Sequence, residues 1–517
     1  MRVVVIIALV LSAGIEAAAQ QPAPATDPTA QAYFEFLLAR RLEAQGDNDA
    51  AQQALQRAIK LDPKSAELNA ELAGFFARQN KATEAMEAAR RALSLDANNV
   101  EAHRMLGLVL AALSDGGTPP PGRTQAQLRT EAIEHLTKIF ETPSVATDLN
   151  LQLTLARLQL RAGNAERAVP VLENIVSQAP FATEPYALLA EARLSLGRVD
   201  AAIEAMEAAA ELNPRYYVSL GDLYERSGRW PDAAGAYEQA IKNARGGASR
   251  DLRLRFAAAL LNTPEPAAAT KARDVLKDFL MTAPQDARGL FLLSTANLRL
   301  GDFPGAEDVA RKLLAVDPKS IQGLHALSSA LVARKEYKQV VELLTPLAKD
   351  IGGLAKGREG DAALLLSQLA HAHTQLGQHD QAIAALSTAV ASDPLNAPVL
   401  NSLGYTLADR GERLPEAIGY IERALKVDPD NPSYVDSLGW ALYKQGKVEE
   451  AEPHLRKAAE ALPDNSVIQD HYGDVLARRG RYQDAIAAWE RALKGDGEEL
   501  DRVAIEKKLR EARARKQ

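Results

Sequence analysis

The chain has 517 residues, 47% hydrophobic and only 5% aromatic, with a formal net charge of −7 and a pI near 5.8. That mild acidity argues against nucleic acid or an anionic membrane as partner, because both select basic surfaces. The absence of cysteine excludes disulfides, thiolate metal sites, thiol nucleophiles and a lipidated anchor.

Residues 1–19, MRVVVIIALVLSAGIEAAA, read as an export signal. Arg2 supplies the positive start, and the apolar run from Val3 to Ile15 is shorter than the roughly 20 residues that a comfortable membrane span needs. Ala17, Ala18 and Ala19 form a small-residue cleavage site that leaves Gln20 as the new N-terminus. The single basic residue and Glu16 keep open the alternative of a retained anchor. The next stretch, QPAPATDPTA, predicts a flexible lead-in over 20–31. Nothing later is apolar for long enough to span a bilayer, so a periplasmic or secreted chain without a membrane span in its mature form is expected.

From residue 32 the sequence repeats itself. The clearest unit is Pro432 to Asn465, in which Leu438, Gly439, Leu442, Gly446, Ala451, Leu455, Ala458 and Pro463 stand at positions 7, 8, 11, 15, 20, 24, 27 and 32. Each has a physical reason within a pair of helices, A and B. Positions 8 and 20 must be small where the backbones cross. Gly446 permits the left-handed conformation that ends helix A. Leu442, Leu455 and Ala458 fill the space between the helices, and Pro463 stops helix B.

The same spacing predicts units at 32–65, 66–99, 100–148, 149–182, 183–213, 214–249, 250–286, 287–320, 321–362, 363–396, 397–431, 432–465 and 466–499. Three departures mark loops. SDGGTPPPGRTQAQ (114–127) separates helices A and B of the third unit, and NTPEPAAAT (262–270) lengthens a later turn. KDIGGLAKGREGD (349–361) reads as a hinge at 349–362 between arrays at 32–348 and 363–499. Residues 500–517 predict a capping helix with Leu500, Val503, Ile505 and Leu509 available for its apolar face. Its Lys507, Lys508, Arg510, Arg513 and Arg515 are either a solvated helix face or a site for an anionic partner.

No nucleotide-binding, zinc-protease or nucleophile-elbow motif occurs, so a non-enzymatic chain without cofactor or metal is expected. His371, His373 and His379 are the one histidine cluster. Residues two apart on a helix point about 200° from each other, so His371 and His373 cannot share a metal.

The repeating LG-x-x-Y/L, G and A pattern resembles the tetratricopeptide-repeat family across almost the whole chain. The resemblance implies an all-α, right-handed α-solenoid of about 13 helix-turn-helix repeats. It also implies that helix A lines an inner groove, with positions 5, 9, 12 and 13 facing inward. In the last four repeats position 5 is Ser367, Asn401, Asp436 and Asp470, and position 9 is His371, Tyr405, Trp440 and Asp474. Tyr443 and Lys444 stand at positions 12 and 13 of the twelfth repeat. These make a candidate peptide-binding groove, in which Asn401 contacts backbone and Tyr405 and Trp440 give rigid area. The alternative is that both aromatics pack against the next repeat.

The stretch NSLGYTLADRGERLPEAIGYIERALKVDPDNPSYVDSLGWALYKQGKVEEAEPHLRKAAEALPDN also resembles large proteobacterial envelope repeat proteins, including adaptors of carboxyl-terminal processing proteases. That resemblance implies scaffold or adaptor work on envelope proteins or peptides. Asp436, Asp470 and Asp474 would repel an acidic tail and suit a neutral or basic segment. A spacer in exopolysaccharide or cell-wall assembly is the alternative function.

Overall fold

The computed structural model describes residues 27–140, 142, 147–348, 357–496 and 500–515. The stretch read as an export signal and residues 349–356 of the expected hinge lie outside them. The described residues form 27 α-helices and one 3₁₀ turn. The helices pair as thirteen helix-turn-helix repeats plus a terminal helix, which makes the chain an all-α solenoid protein. The first helix, Pro28–Ala44, begins inside the expected lead-in, with Asp27 capping it and Pro28 at its first turn. The chain divides into two compact units, one ending at Gly228 and the other beginning at Arg229.

Alanine and leucine make these helices, and side chains at the repeat joints place their ends. The residue just before each helix A is often Ser, Asn or Asp, and its side chain accepts a backbone N–H of the first turn. Ser65 accepts from Leu68 at 3.2 Å, Asn99 from Ala102 at 2.9 Å and Asn465 from Ile468 at 3.0 Å. Such a cap contributes about 1 kcal/mol. At the other end of helix A, Gly446 has φ of 85° and its N–H donates to the Tyr443 carbonyl at 2.9 Å. In the second and ninth repeats this left-handed position falls to Asn80 and Lys335, at φ of 59° and 60°. No glycine was available there to read from the sequence.

Position 20 is alanine in twelve repeats and Val340 in the other, and none is more than 1% exposed. Helix B therefore meets helix A at a fully buried side chain that is small in all but the ninth repeat. Gly404 at position 8 shows how close the crossing is. A Cβ there would lie 2.5 Å from Ile421 Cγ1 and 2.8 Å from the Ala417 carbonyl oxygen. At the same position Ser294 donates its hydroxyl to the Ala306 carbonyl at 2.9 Å. Gly404→Ala is expected to destabilise the C-terminal repeats by about 2 kcal/mol through overpacking. Gly419→Ala, on helix Leu414–Val427 with nothing within 4 Å of its new Cβ, should instead stabilise them by up to about 1 kcal/mol. Urea unfolding of the two variants beside wild type checks both signs.

Two sequence expectations change in detail. The turn near 262–270 is short, because Pro266 opens a 17-residue helix, Pro266–Thr282, and the alanines behind it favour helix over loop. The terminal helix, Arg502–Arg515, buries Ile505, Leu509 and Ala512 against Leu476, Ala488, Trp489 and Ala492, whereas Val503 is 75% exposed. Residues 505, 509 and 512 follow helical spacing, and Val503 lies about 200° around from Ile505. The third-repeat insertion does separate two helices, Val100–Ser114 and Gln125–Ile139, the second closed by a Thr124–Gln127 capping box.

Candidate functional site

Three successive A helices carry most of the candidate groove: Ala397–Asp409, Pro432–Lys444 and Ser466–Arg478. They touch one another directly, and so bring positions 5 and 9 of adjacent repeats together. Asn401 and Tyr405 project from the first, Asp436, Trp440 and Tyr443 from the second, and Asp470 and Asp474 from the third. His371 stands apart on helix Glu359–Gln375, where its ring meets Tyr337 edge-on at 5.7 Å.

At the centre is a stack. The indole of Trp440 lies 3.9 Å from the ring of His471 at an interplanar angle of 12°, and 5.2 Å from that of Tyr443 at 14°. Its N–H donates to Asp409 at 3.1 Å, and Lys444 Nζ sits 5.0 Å from the ring centroid. Trp440 is only 7% exposed. It joins neighbouring repeats and offers little free face to a ligand.

His471 was not singled out by the sequence. It stands at position 6 of the last repeat, facing position 5 of the repeat before. Its Nδ1 lies 3.0 and 3.2 Å from the two carboxylate oxygens of Asp436, with both side chains 6% exposed. Burial alone would push the imidazole down. The charge and hydrogen bond of Asp436, helped by Asp470 and Asp474, outweigh it and hold His471 above its ordinary value. The Tyr405 ring lies 6.0 Å from that of His471.

Asp470 and Asp474 share a different cation. Lys508 of the terminal helix reaches back to place Nζ 2.9 Å from Asp470 and 2.7 Å from Asp474, and Asp474 also accepts from the Trp489 indole at 3.1 Å. Burial and the neighbouring Asp470 raise Asp474, with Lys508 opposing. Burial lowers Lys508, but the two carboxylates raise it further. Burial and then Asp474 raise Tyr443. The basic terminal helix thus uses Lys508 internally. Among the three groove carboxylates, each has a basic side chain of the same chain at hydrogen-bonding distance.

Beside the stack lies a cleft of about 210 Å³, lined by Asn401, Tyr405, Asp436, Ser437 and Ile468 among others. The side-chain oxygen of Asn401 is buried and has no hydrogen-bond partner. A buried, unmet amide acceptor is costly, and the residue that carries it lines the open cleft.

The recurrence of small, turn and capping residues in thirteen helix pairs is matched by comparison with known sequences. Sequence profiles described as tetratricopeptide repeat match residues 36–100, 153–217, 217–249, 266–321 and 321–496. The chain is a tetratricopeptide-repeat protein. Such a protein is a scaffold for protein–protein interaction. Its sequence carries no catalytic motif, and among its described residues no group of three His, Asp or Glu side chains is placed to hold a metal ion. It is 39% identical over 90 residues to the TPR repeat-containing protein PA4667 of Pseudomonas aeruginosa, a match covering 17% of this chain and 15% of that protein. It is 24% identical over 255 residues to the TPR repeat-containing protein YpiA of Bacillus subtilis, covering 49% of each. The matches thus span half or less of these relatives. Among solved structures it is similar to Naa15/Naa10 bound to HypK-THB, with 16% identity, a TM-score of 0.40, and 89% of this chain and 68% of that one covered. It is also similar to the APC/C hetero-tetramer Cut9–Hcn1, with 13% identity, a TM-score of 0.43, and 94% and 98% covered. No helix among its described residues is long and apolar enough to cross a membrane.

Proposed function

We propose that this tetratricopeptide-repeat protein is an exported scaffold whose last three repeats hold an extended protein segment against the A-helix face. The observation that carries this reading is the unpartnered side-chain oxygen of Asn401 on the cleft wall. Once the Asn401 amide turns toward the cleft, a backbone N–H of an extended segment would supply the missing donor, with Ser437 for a further polar contact and Tyr405 for rigid apolar area. Lys508 between Asp470 and Asp474, and His471 hydrogen-bonded to Asp436, offset part of the negative charge expected there. An uncharged segment therefore suits the cleft better than a strongly basic one. Export rests on the composition of residues 1–19, and the resemblance of the C-terminal repeats to envelope adaptors supports the same compartment.

A peptide selected on the full chain from a display library tests the groove. Asn401→Ala and Tyr405→Ala should each weaken it about tenfold, or 1.4 kcal/mol, with the fold intact. Unchanged affinity in both variants would sink the groove. N-terminal sequencing of the protein recovered from the periplasm should begin at Gln20, and recovery solely from the cytoplasm would sink export.

A further inference from the structure

A second cleft lies in the other compact unit, on the A helices of the first three repeats: Pro28–Ala44, Ala66–Arg78 and Val100–Ser114. Its volume is about 590 Å³. It uses nearly the same places in the repeat as the C-terminal cleft. Position 5 supplies Phe36 and Ala70, position 6 supplies Glu71, and position 2 supplies Tyr33, Glu67 and Glu101. Leu68 and Phe36 make its floor apolar. Tyr33 stands on its lip, 62% exposed, with its ring 6.1 Å from that of Phe36.

The charge differs from the C-terminal cleft. Four carboxylates line the site: Asp62, Glu67, Glu71 and Glu101. Glu71 pairs with Arg40 at 2.9 Å and Arg78 at 3.5 Å, and Glu101 with Arg104 at 3.7 Å. Among the described residues Asp62 and Glu67 have no ion-pair partner, and Glu67 accepts only from the Ser65 hydroxyl at 3.1 Å. No counterpart of His471 or Lys508 reaches these two carboxylates. Two uncompensated negative charges beside an apolar floor and an exposed tyrosine ring attract a cation that carries apolar bulk. The ring adds a cation–π contact, and an acidic segment is repelled.

We propose that this cleft is a separate docking site for a cationic protein segment with an aromatic or aliphatic side chain seated on Phe36 and Leu68. The probe is a fluorescein-labelled peptide with one tryptophan between pairs of lysines, and its counterpart with glutamates in place of the lysines. Both are titrated by anisotropy against the full chain. The lysine peptide is expected to bind saturably and the glutamate peptide at least about tenfold more weakly. Binding should fall when salt rises from roughly 50 to 300 mM. The double variant Asp62→Asn/Glu67→Gln and the single variant Tyr33→Ala should each weaken the lysine peptide about tenfold, while Asn401→Ala leaves it unchanged. All three N-terminal substitutions are at exposed or half-buried positions, and circular dichroism confirms that the variants fold. The proposal is overturned if the lysine peptide does not saturate, if the two peptides bind alike, or if the double variant stays within twofold of wild type. It is also overturned if sedimentation shows a dimer that Tyr33→Ala makes monomeric, which assigns the face to a second copy of the chain.

Discussion

His471→Leu is expected to destabilise the C-terminal repeats by about 4 kcal/mol, because removing one member of a buried ion pair leaves the other uncompensated. Asp436 would remain 4% exposed with no donor at its two oxygens, and Trp440 would lose the ring stacked on it at 3.9 Å. Asp436→Leu combined with His471→Leu should recover part of that loss, since no charge is then left without a partner. The same pair gives the wild type a pH dependence. His471 is held above its ordinary value when folded, so its contribution is complete below about pH 6.5, the unfolded value, and is lost as pH rises through the folded one. His135, His325 and His454 are lowered, chiefly by burial, so their effect has the opposite sign and acts below about pH 6.5. Lys508 and Tyr443 are raised from values that already lie far above this window. The melting temperature of the C-terminal repeats should therefore fall from about pH 6.5 upward into the mildly alkaline range, and His471→Leu should flatten that slope. A flat wild-type profile there would contradict a protonated His471.

Lys508→Met should destabilise the same repeats by about 3 kcal/mol, with loss of the terminal helix first. Among the described residues Lys508 is the one cation paired with both Asp470 and Asp474, and its side chain is about two-thirds covered, at 31% exposure. Methionine keeps an unbranched side chain of similar length but loses the ammonium 5.9 Å from the Trp489 ring centroid and leaves two carboxylates crowded together in a partly dry site. One of them would then take a proton at higher pH than before, as neighbouring carboxylates do. Hydrogen exchange should show helix Arg502–Arg515 opening at a lower free energy than in wild type, ahead of helix Ser466–Arg478. Equal protection in both proteins would mean that the apolar face of Ile505, Leu509 and Ala512 holds the helix without Lys508.

The solenoid was legible because its rules are local. Position 20 must be small, the turn after helix A must go left-handed, and the residue before helix A must accept an N–H. The first two rules name a residue type at a fixed spacing, so Ala451 and Gly446 could be read directly, whereas the capping role of Asn465 emerged from the structure. The groove was legible only in part. Asn401 and Tyr405 stand at repeat positions expected to face inward, and both line the cleft. Trp440 was found by the same rule, yet it is packed between repeats. Which way a large ring settles depends on its neighbour one repeat on, here His471. The His471–Asp436 pair crosses 35 residues and the Lys508 bridge crosses 38 and 34. No periodicity within a repeat announces such pairs. Aligning adjacent repeats so that position 5 meets position 6 would have exposed the first. The second belongs to a helix outside the repeat pattern.

The capping residues give the array a direction. Ser65, Asn99, Asn431 and Asn465 are the last residues of one repeat, yet the first turns they satisfy belong to the next. A repeat severed just after its predecessor's final residue loses its own helix start, whereas the helix starts of the predecessor keep their caps. Dependence therefore runs from the C-terminal side toward the N-terminal side. A chain emerging N-terminus first meets each capping oxygen before the amides that need it, so every new helix has its starting point already in place.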